Sequence, residues 1–254
     1  MPTEDNMPLT FATFYIDISE EVKQSILAIE PSFTIHKEFQ LLQAFFASAR
    51  RFHPDCRTVI LTDLKTVINL SADIEIMRFD VDNRLVGFSR TLAQKAFLKQ
   101  TTPPESVLFL DYDMLIQSNL DAMFQQPFDV ALTYRRHPVP INGGFIAIHG
   151  DGYEGGLAFM EKMVTISHQK PQYYTWFGNQ RALVRSVGVN NFFDRTSDLI
   201  EVDHIRILFL PGELYNFSTP DDVAMDGDYP DKKILHFKGR RKEYLLDYFK
   251  KMMK

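Results

Sequence analysis

Two aspartates separated by a single residue are the strongest chemical signal in the sequence. Asp111 and Asp113 come directly after the apolar run 107–110. In an extended chain, residues i and i+2 face the same side, so both carboxylates can approach one cation at the end of a strand. Mg²⁺ and Mn²⁺ accept carboxylate oxygens and complete their shells with water and phosphate oxygens. The pattern therefore predicts a site for a divalent cation.

The same aspartate pair could also be a solvated turn, because turns tolerate Asp well. Apolar residues on both sides of the pair, including Leu115 and Ile116, favour the metal site. An uncompensated carboxylate in such surroundings would carry a desolvation cost on the order of several kcal/mol. A bound cation would compensate that cost.

Four further segments occur in the order found in a known enzyme family. They are Phe-Ser-Arg at 88–90, Asn-Gly-Gly at 142–144, Gly-Asn-Gln at 178–180 and a His-x-x-Gly-x-x-Lys pattern at 236–242. With the aspartate pair, they give a sequence that resembles the retaining nucleotide-sugar glycosyltransferases of the glycogenin and bacterial lipooligosaccharide galactosyltransferase group. The resemblance runs from the first strand to the last, although only short motifs carry it. It implies the GT-A fold, an α/β, Rossmann-like architecture with a mixed, mainly parallel sheet flanked by helices.

The resemblance implies a metal and diphosphate site. His236 would be the third protein ligand of the metal, beside the two aspartates. Gly239 and Lys242 would receive the diphosphate, and Arg90 would reach the donor sugar or its diphosphate, since a guanidinium pairs well with phosphate. The family's Pro-Trp after the lysine is replaced here by Glu-Tyr at 243–244. The loop that closes over the donor is therefore expected to differ.

The resemblance also implies a sugar site. Asn142 would hydrogen-bond the sugar, while Gly143 and Gly144 would permit close approach of the backbone. Gln180 would lie near the anomeric centre and, with Arg90 and Lys242, completes the predicted catalytic set. Asn179 replaces the family's usual aspartate, which leaves the identity of the sugar open.

The nucleotide contacts depart most from the family pattern. Where the family usually carries acidic residues on the first strand, this chain has Ala-Thr-Phe-Tyr at 12–15. We expect Thr13 and Tyr15 to meet the base through backbone hydrogen bonds and stacking, and Asp63 to assist from the second strand. Lys95 and Tyr112 complete the predicted donor-binding set.

Strand and helix patterns alternate along the chain, as apolar runs and helical spacings indicate. The predicted strands are 9–18, 58–61, 74–79, 106–110, 130–134, 144–148, 205–210 and 233–237, and the predicted helices are 36–51, 89–100, 157–167, 179–187 and 243–252. Such alternation favours a parallel sheet that binds ligands beyond the carboxyl ends of its strands. We expect one glycosyltransferase domain over residues 1–254, with a nucleotide-binding part at about 9–116 and an acceptor and sugar part at about 117–254.

Composition excludes several classes of protein. A formal net charge of −5 argues against sequence-independent nucleic-acid binding, which needs a broad basic surface. The single cysteine, Cys56, cannot form an internal disulfide. No run approaches the roughly 20 apolar residues of a membrane-spanning helix, so we expect a cytoplasmic protein. The basic, amphipathic stretch 238–254 could rest on an anionic membrane at the cytosolic face, although packing of its apolar side on the core is favoured.

The expected reaction is metal-dependent transfer of a sugar from a nucleoside diphosphate to an acceptor hydroxyl on a glycan or glycolipid. By resemblance the donor nucleotide is UDP, the cation is Mn²⁺ or Mg²⁺, and the anomeric configuration is retained. No carboxylate in the sequence can be nominated as the nucleophile or base of that reaction.

Three alternatives belong to other classes. A haloacid dehalogenase-type phosphatase also carries an Asp-x-Asp pair and a later Gly-Asp segment, as at 227–231. That family, however, places its Asp-x-Asp pair on the opening strand and has no Met after the pair, whereas Met114 follows it here. A nucleotidyltransferase would need a glycine-rich, basic loop after Ile16, which is absent. A non-catalytic nucleotide-sugar-binding module would keep the fold without the chemistry.

Overall fold

The computed structural model describes residues 9–29, 38–101, 105–136, 140–174, 177–193, 197–220 and 229–254. Its strands are β1 Leu9–Phe14, β2 Arg57–Asp63, β3 Glu75–Phe79, β4 Ser106–Leu110, β5 Met114–Ile116, β6 Val130–Tyr134, β7 Ile141–Ile148, β8 Leu199–Val202, β9 Ile205–Pro211, β10 Phe217–Ser218 and β11 Ile234–His236. Its helices are α1 Glu20–Ile29, α2 Glu38–Phe52, α3 Val86–Gln100, α4 Tyr153–His168, α5 Gly178–Val187, α6 Asn190–Phe193, α7 Gly212–Tyr215 and α8 Lys242–Met252.

The main sheet has eight strands in the order β3-β2-β1-β4-β7-β6-β9-β8. The first four strands are parallel to one another. Strand β7 runs antiparallel to both β4 and β6, β9 is parallel to β6, and β8 is antiparallel to β9. The predicted mixed, mainly parallel sheet flanked by helices is confirmed.

Apolar strand sequences explain why this sheet lies at the centre. Every residue of β1 and of β4 is buried, as expected of parallel strands that are covered on both faces. One apolar cluster joins the sheet to α3, α4 and α5 through residues such as Phe97, Phe159 and Leu183. A second cluster joins the opposite face to α2 through Phe45 and Phe46.

A second, three-stranded sheet has the order β10-β11-β5. Strand β5 begins with Met114, immediately after the aspartate pair, and pairs antiparallel with β11, which places His236 opposite Met114. The strand predicted at 233–237 is therefore β11 and belongs to this small sheet. It brings a histidine from late in the chain to the end of β4.

The C-terminal helix packs on the protein core. Leu245 and Tyr248 of α8 are buried in a cluster with Leu41 and Ala44 of α2, as favoured from the sequence. No helix in the described ranges is both long and apolar enough to cross a membrane.

Several elements were not predicted from the sequence. They are α1, β5, β8, β10 and the four-residue helices α6 and α7. Strand β1 ends at Phe14, earlier than predicted. Three parts of the sequence lie outside the described residues. They are residues 1–8, the first residues of predicted helix 36–51 and the beginning of the Gly-Asp segment 227–231. The single-domain division stays a prediction.

Candidate active site

A cavity of about 380 Å³ lies where the carboxyl ends of β1 and β4 meet the start of β7 and the end of β11. Its described lining consists of Phe14, Tyr15, Ile16, Ile18, Glu38, Val86, Gly87, Arg90, Asp111, Tyr112, Asp113, Asn142, Gly144, Phe177, Asn179, Gln180, His236, Lys238, Gly239, Arg241 and Lys242. Strand order reverses here, because β2 and β3 lie on one side of β1 and β4 lies on the other, and such crevices are the usual ligand sites of open α/β sheets.

The aspartate pair lies at the junction of the two sheets. Asp111 N–H donates to the Gly144 carbonyl at 3.0 Å, which extends the β4–β7 ladder of the main sheet. Phe237 N–H donates to the Asp113 carbonyl at 2.9 Å, which extends the β5–β11 ladder of the small sheet. Between Asp111 and Asp113 the backbone thus passes from the main sheet to the small sheet. The two carboxylates are held where the two sheets meet.

Asp111, Asp113 and His236 present ligand atoms that all lie within 4.8 Å of one another. His236 Nε2 is 3.1 Å from Asp113 Oδ1 and 3.7 Å from Asp111 Oδ2. Two ligands at right angles on an octahedral Mg²⁺ ion are about 3 Å apart, because each lies about 2.1 Å from the ion. The spacing therefore fits three ligands of one small divalent cation.

Each aspartate also has a cationic partner. Arg90 Nη1 lies 2.5 Å from Asp111 Oδ1, and Arg90 Nη2 donates to the Gly143 carbonyl at 2.9 Å. Lys242 Nζ lies 3.4 Å from Asp113 Oδ2. Burial raises the pKa of Asp113, but Lys242 and then His236 outweigh burial and hold that pKa well below its usual range. Asp113 is therefore ionised and ready to bind a cation at neutral pH.

The two lysines near the metal ligands differ. Burial favours neutral Lys242, but Tyr112 and Asp113 outweigh burial and raise its pKa, so Lys242 stays charged. Burial, followed by the nearby Arg135, lowers the pKa of Lys238 to about 8. Lys238 and Arg241 line the cavity but were missed from the sequence, although they occupy the variable positions of the His-x-x-Gly-x-x-Lys pattern. Gly239, between them, has a left-handed φ of 58°, which favours glycine there.

His236 is almost fully buried and is held by an amide. Burial, followed by Lys238, lowers its pKa, so the imidazole is neutral at pH 7. Its Nδ1 lies 2.7 Å from Asn216 Oδ1. Asn216 was not among the site residues predicted from the sequence.

Glycines allow the sugar-site segments to converge. A Cβ at Gly143 would lie 2.9 Å from Arg90 Nη2 and 3.4 Å from Gln180 Cγ. A Cβ at Gly144 would lie only 2.3 Å from Asp111 Oδ2 and 2.8 Å from Asn142 Oδ1. The Gly-Gly pair is therefore required by close packing at the metal ligands and at the start of α5.

Two tyrosines and a glutamate also line the cavity. The Tyr15 hydroxyl lies 2.7 Å from Glu38 Oε2, and the Tyr112 hydroxyl donates to Glu38 Oε1 at 3.3 Å. The two rings meet edge to face with centroids 5.9 Å apart. Glu38 was missed from the sequence, which offered only an acidic residue near the start of a predicted helix.

Four predicted donor-binding residues are not among the described residues that line the cavity. One is Gly143, whose carbonyl accepts from Arg90 Nη2. Thr13 is buried within β1. Asp63 Oδ1 accepts hydrogen bonds from the Lys65 and Thr66 backbone N–H groups at 3.0 and 2.6 Å and so caps a turn. Lys95 follows Arg90 by five residues on α3, which rotates its side chain about 140° around the helix axis. Their roles at the donor stay predictions.

Comparison with solved structures gives the fold a family context. No protein-family model and no curated protein sequence matches the chain. The glycosyltransferase GlyE of Streptococcus pneumoniae TIGR4 superposes with a TM-score of 0.58 at 14% identity, over 96% of this chain and 60% of that one. The galactosyltransferase LgtC, solved with donor and acceptor sugar analogs, gives 0.56 at 10% identity, over 96% and 94%.

A third structure is similar over almost its full length. A glycosyltransferase involved in glycosylation of the major capsid of PBCV-1 gives a TM-score of 0.54 at 12% identity, over 96% of this chain and 99% of that one. This chain thus spans 60% of the GlyE chain but nearly all of the other two. Identities this low establish the architecture alone: the chain has the GT-A fold of glycosyltransferases.

Proposed function

We propose that the protein is a metal-dependent glycosyltransferase that uses a nucleoside-diphosphate sugar as donor. One observation carries this proposal: Asp111, Asp113 and His236 converge within 4.8 Å in the cavity of a GT-A fold. Arg90 and Lys242 lie against the same aspartates. A cation site flanked by a guanidinium and an ammonium suits a diphosphate better than any neutral ligand.

The residues fit a hard divalent cation, Mn²⁺ or Mg²⁺. The donor set is two carboxylates and one neutral imidazole, which suits Mn²⁺ and, with water completing the shell, Mg²⁺. His236 Nε2 lies 3.1 Å from Asp113 Oδ1, so one small cation can contact both atoms. A cation bound there supplies Lewis-acid stabilisation of the diphosphate as it leaves the sugar.

The protein's own groups would act on the leaving diphosphate and on the sugar. Lys242 stays charged in its buried position and would neutralise the departing phosphates, together with Arg90 and the backbone at Gly239, which line the same cavity. Asn142 Oδ1 accepts from Gly144 N–H at 3.0 Å, which leaves the Asn142 amide N–H₂ as the donor to a sugar hydroxyl. Asn179 and Gln180, at the start of α5, complete the sugar site.

The nucleotide would extend toward Tyr15 and Tyr112, which line the cavity. Aromatic rings provide stacking surface for a base, and Glu38 could accept a base N–H. UDP is favoured through the family resemblance alone. Thr13, Asp63 and Lys95 stay as proposed donor contacts outside the cavity lining.

Retention of anomeric configuration is proposed from the same resemblance. The acceptor hydroxyl would attack on the face that the diphosphate leaves, and the diphosphate would take its proton. Gln180 would lie at the anomeric carbon without serving as a nucleophile, since a neutral amide is a poor one. NMR analysis of the product anomer tests this directly, and an inverted product would contradict it.

The proposed acceptor is a hydroxyl of a carbohydrate or glycolipid, reached in the cytoplasm or at the cytosolic membrane face. The exposed Lys250 and Lys251 of α8 could contact anionic lipid while Leu245 stays in the core. Liposome flotation that is unchanged when both lysines are replaced by Glu would contradict membrane contact.

A screen of nucleotide sugars for Mn²⁺-dependent hydrolysis tests the whole proposal, because slow donor breakdown needs no known acceptor. We expect release of a nucleoside diphosphate from at least one donor, and its loss on chelation. Hydrolysis of a phosphomonoester instead would support the phosphatase alternative. Binding of Mn²⁺ and UDP without turnover of any donor would support the non-catalytic module.

A further inference from the structure

A chain of four hydrogen-bonded groups links the backbone of Gly144 to the metal ligand His236. Gly144 N–H lies 3.0 Å from Asn142 Oδ1, and Asn142 Oδ1 lies 3.2 Å from Asn216 Nδ2. Asn216 Nδ2 also lies 2.9 Å from Thr133 Oγ1, and Asn216 Oδ1 lies 2.7 Å from His236 Nδ1. Thr133, Asn216 and His236 are all buried, so these contacts are shielded from water.

The direction of every bond in this chain follows from its first member. A backbone N–H can only donate, so the Asn142 atom that faces Gly144 must be the amide oxygen. The Asn216 atom that faces this oxygen must then be the N–H₂ group. The amide oxygen of Asn216 is consequently the atom turned toward His236.

The last bond fixes the imidazole. An amide oxygen accepts but cannot donate, so His236 Nδ1 must carry a proton. A neutral imidazole then has its lone pair on Nε2, the atom that lies 3.1 Å from Asp113 and 3.7 Å from Asp111. The opposite tautomer would place two lone pairs 2.7 Å apart.

We propose that Asn216 is a positioning residue that holds His236 with Nε2 directed at the divalent cation. The proposal rests on the proposed function for the cation itself. It adds a residue, on the segment between α7 and β10, that touches neither metal nor substrate. Thr133 and Asn142 fix Asn216 in turn, so the metal site is tied to the sugar-site backbone at Gly144.

Two substitutions at Asn216 separate its oxygen from its N–H₂ group. Asn216→Ala removes both, and we expect Mn²⁺ to bind about 10- to 100-fold more weakly, the usual effect of losing a group that orients a metal-bound histidine. Asn216→Asp keeps an oxygen acceptor for His236 Nδ1, so we expect it to recover most of that affinity. Loss of free Mn²⁺ signal in electron paramagnetic resonance measures both without any donor or acceptor.

A threonine pair provides a matched control for packing. Thr133→Val removes the hydroxyl that accepts from Asn216, and we expect about fivefold weaker Mn²⁺ binding, the value of one buried hydrogen bond. Thr62 is also a buried strand threonine, and its hydroxyl has no partner among the described residues. Thr62→Val should leave Mn²⁺ affinity unchanged, and thermal melting should show all four variants folded.

The ¹⁵N NMR spectrum of His236 in the Mg²⁺-loaded protein provides a second measurement, because it reports which ring nitrogen carries the proton. A role of Asn216 in stability alone would not change this spectrum. The wild type should show a protonated Nδ1, and Asn216→Asp should retain it. Equal Mn²⁺ affinity in wild type and Asn216→Ala, or equal losses in the Ala and Asp variants, would overturn the role of Asn216. A wild type that binds no Mn²⁺ would instead overturn the proposed function, and this inference with it.

Discussion

Two aspartate–arginine pairs lie at opposite ends of the main sheet and differ in how fully the carboxylate is used. At the start of β6, Asp129 Oδ1 accepts from Arg206 Nε at 3.0 Å and Nη2 at 2.6 Å, and Oδ2 accepts from the Arg206 backbone N–H at 2.7 Å. At the end of β4, Asp111 Oδ1 meets Arg90 Nη1 at 2.5 Å, while the polar contact of Oδ2 within the described part of the chain is His236 Nε2 at 3.7 Å.

The difference separates a structural carboxylate from a candidate metal ligand. Both oxygens of Asp129 are occupied, and Gly155 leaves no room beside it, since a Cβ there would lie 2.5 Å from Asp129 Cγ. Asp111 has one oxygen held by Arg90 and one directed at the cavity. An ion pair that orients one oxygen and leaves the other open prepares a carboxylate to bind a cation.

The largest effect is expected from Asp111→Asn. The variant removes a charged ligand, and loss of several kcal/mol of leaving-group stabilisation should lower donor hydrolysis by on the order of 10³-fold. Turnover is measured on the donor that the screen identifies. The pair is partly exposed, so unfolding by urea should change little. Turnover near the wild-type rate would contradict the role of Asp111 as a metal ligand.

Asp129→Asn should show the reverse pattern. The substitution removes the nearly buried carboxylate that pairs with the partly exposed Arg206, and we expect about 2 kcal/mol less stability in urea unfolding, the value of hydrogen bonds to a charged group. Turnover per folded molecule should be unchanged, because Asp129 lies at the far end of the sheet. A fall in turnover without a fall in stability would show that the two ends are coupled.

Acid titration extends the comparison to Asp113. Its pKa is depressed in the folded state, so its contribution to stability is present in full above the unfolded-state pKa of about 3.9 and is lost as pH falls toward the folded value. With metal chelated, the wild type should be more stable than Asp113→Asn at pH 7, and the difference should shrink below about pH 4. A constant difference down to pH 2 would contradict the ion pair with Lys242.

The smallest effect is expected from the metal itself. Arg90 and Lys242 already compensate the aspartates, so chelation should leave the protein folded. Mn²⁺ at ten times its dissociation constant should add about 1.4 kcal/mol and raise Tm by roughly 3–6 °C. Thermal melts should show this rise in Asp129→Asn and not in Asp111→Asn. The same rise in both variants would place the cation elsewhere.

Local sequence patterns were sufficient for most of the main sheet. Strands 106–110 and 130–134 have the predicted bounds, because long apolar runs flanked by polar residues specify buried strands. Strand β5 was missed because it has three residues and continues the apolar run after the aspartates. Its pairing with β11 is a long-range contact, which no local periodicity contains.

Short sequence motifs predicted part of the candidate site, and the structure added residues that no motif indicated. The family resemblance indicated His236 and Lys242, and the structure brings both beside the aspartates. Asn216 and Glu38 act through hydrogen bonds to other side chains, so their sequence neighbours give no sign of a role. Thr13 is buried within β1 and the cavity lining begins at Phe14, so its role at the donor stays a prediction.

Gly144 makes the cation position unusually easy to block. The Cβ of any side chain at this residue would overlap Asp111 Oδ2. The methyl group of Gly144→Ala should therefore displace the carboxylate oxygen that faces the proposed cation. Such a variant keeps every charged group of the cavity. We expect it to weaken binding of the proposed cation, so that binding of the proposed nucleotide can be measured apart from the metal.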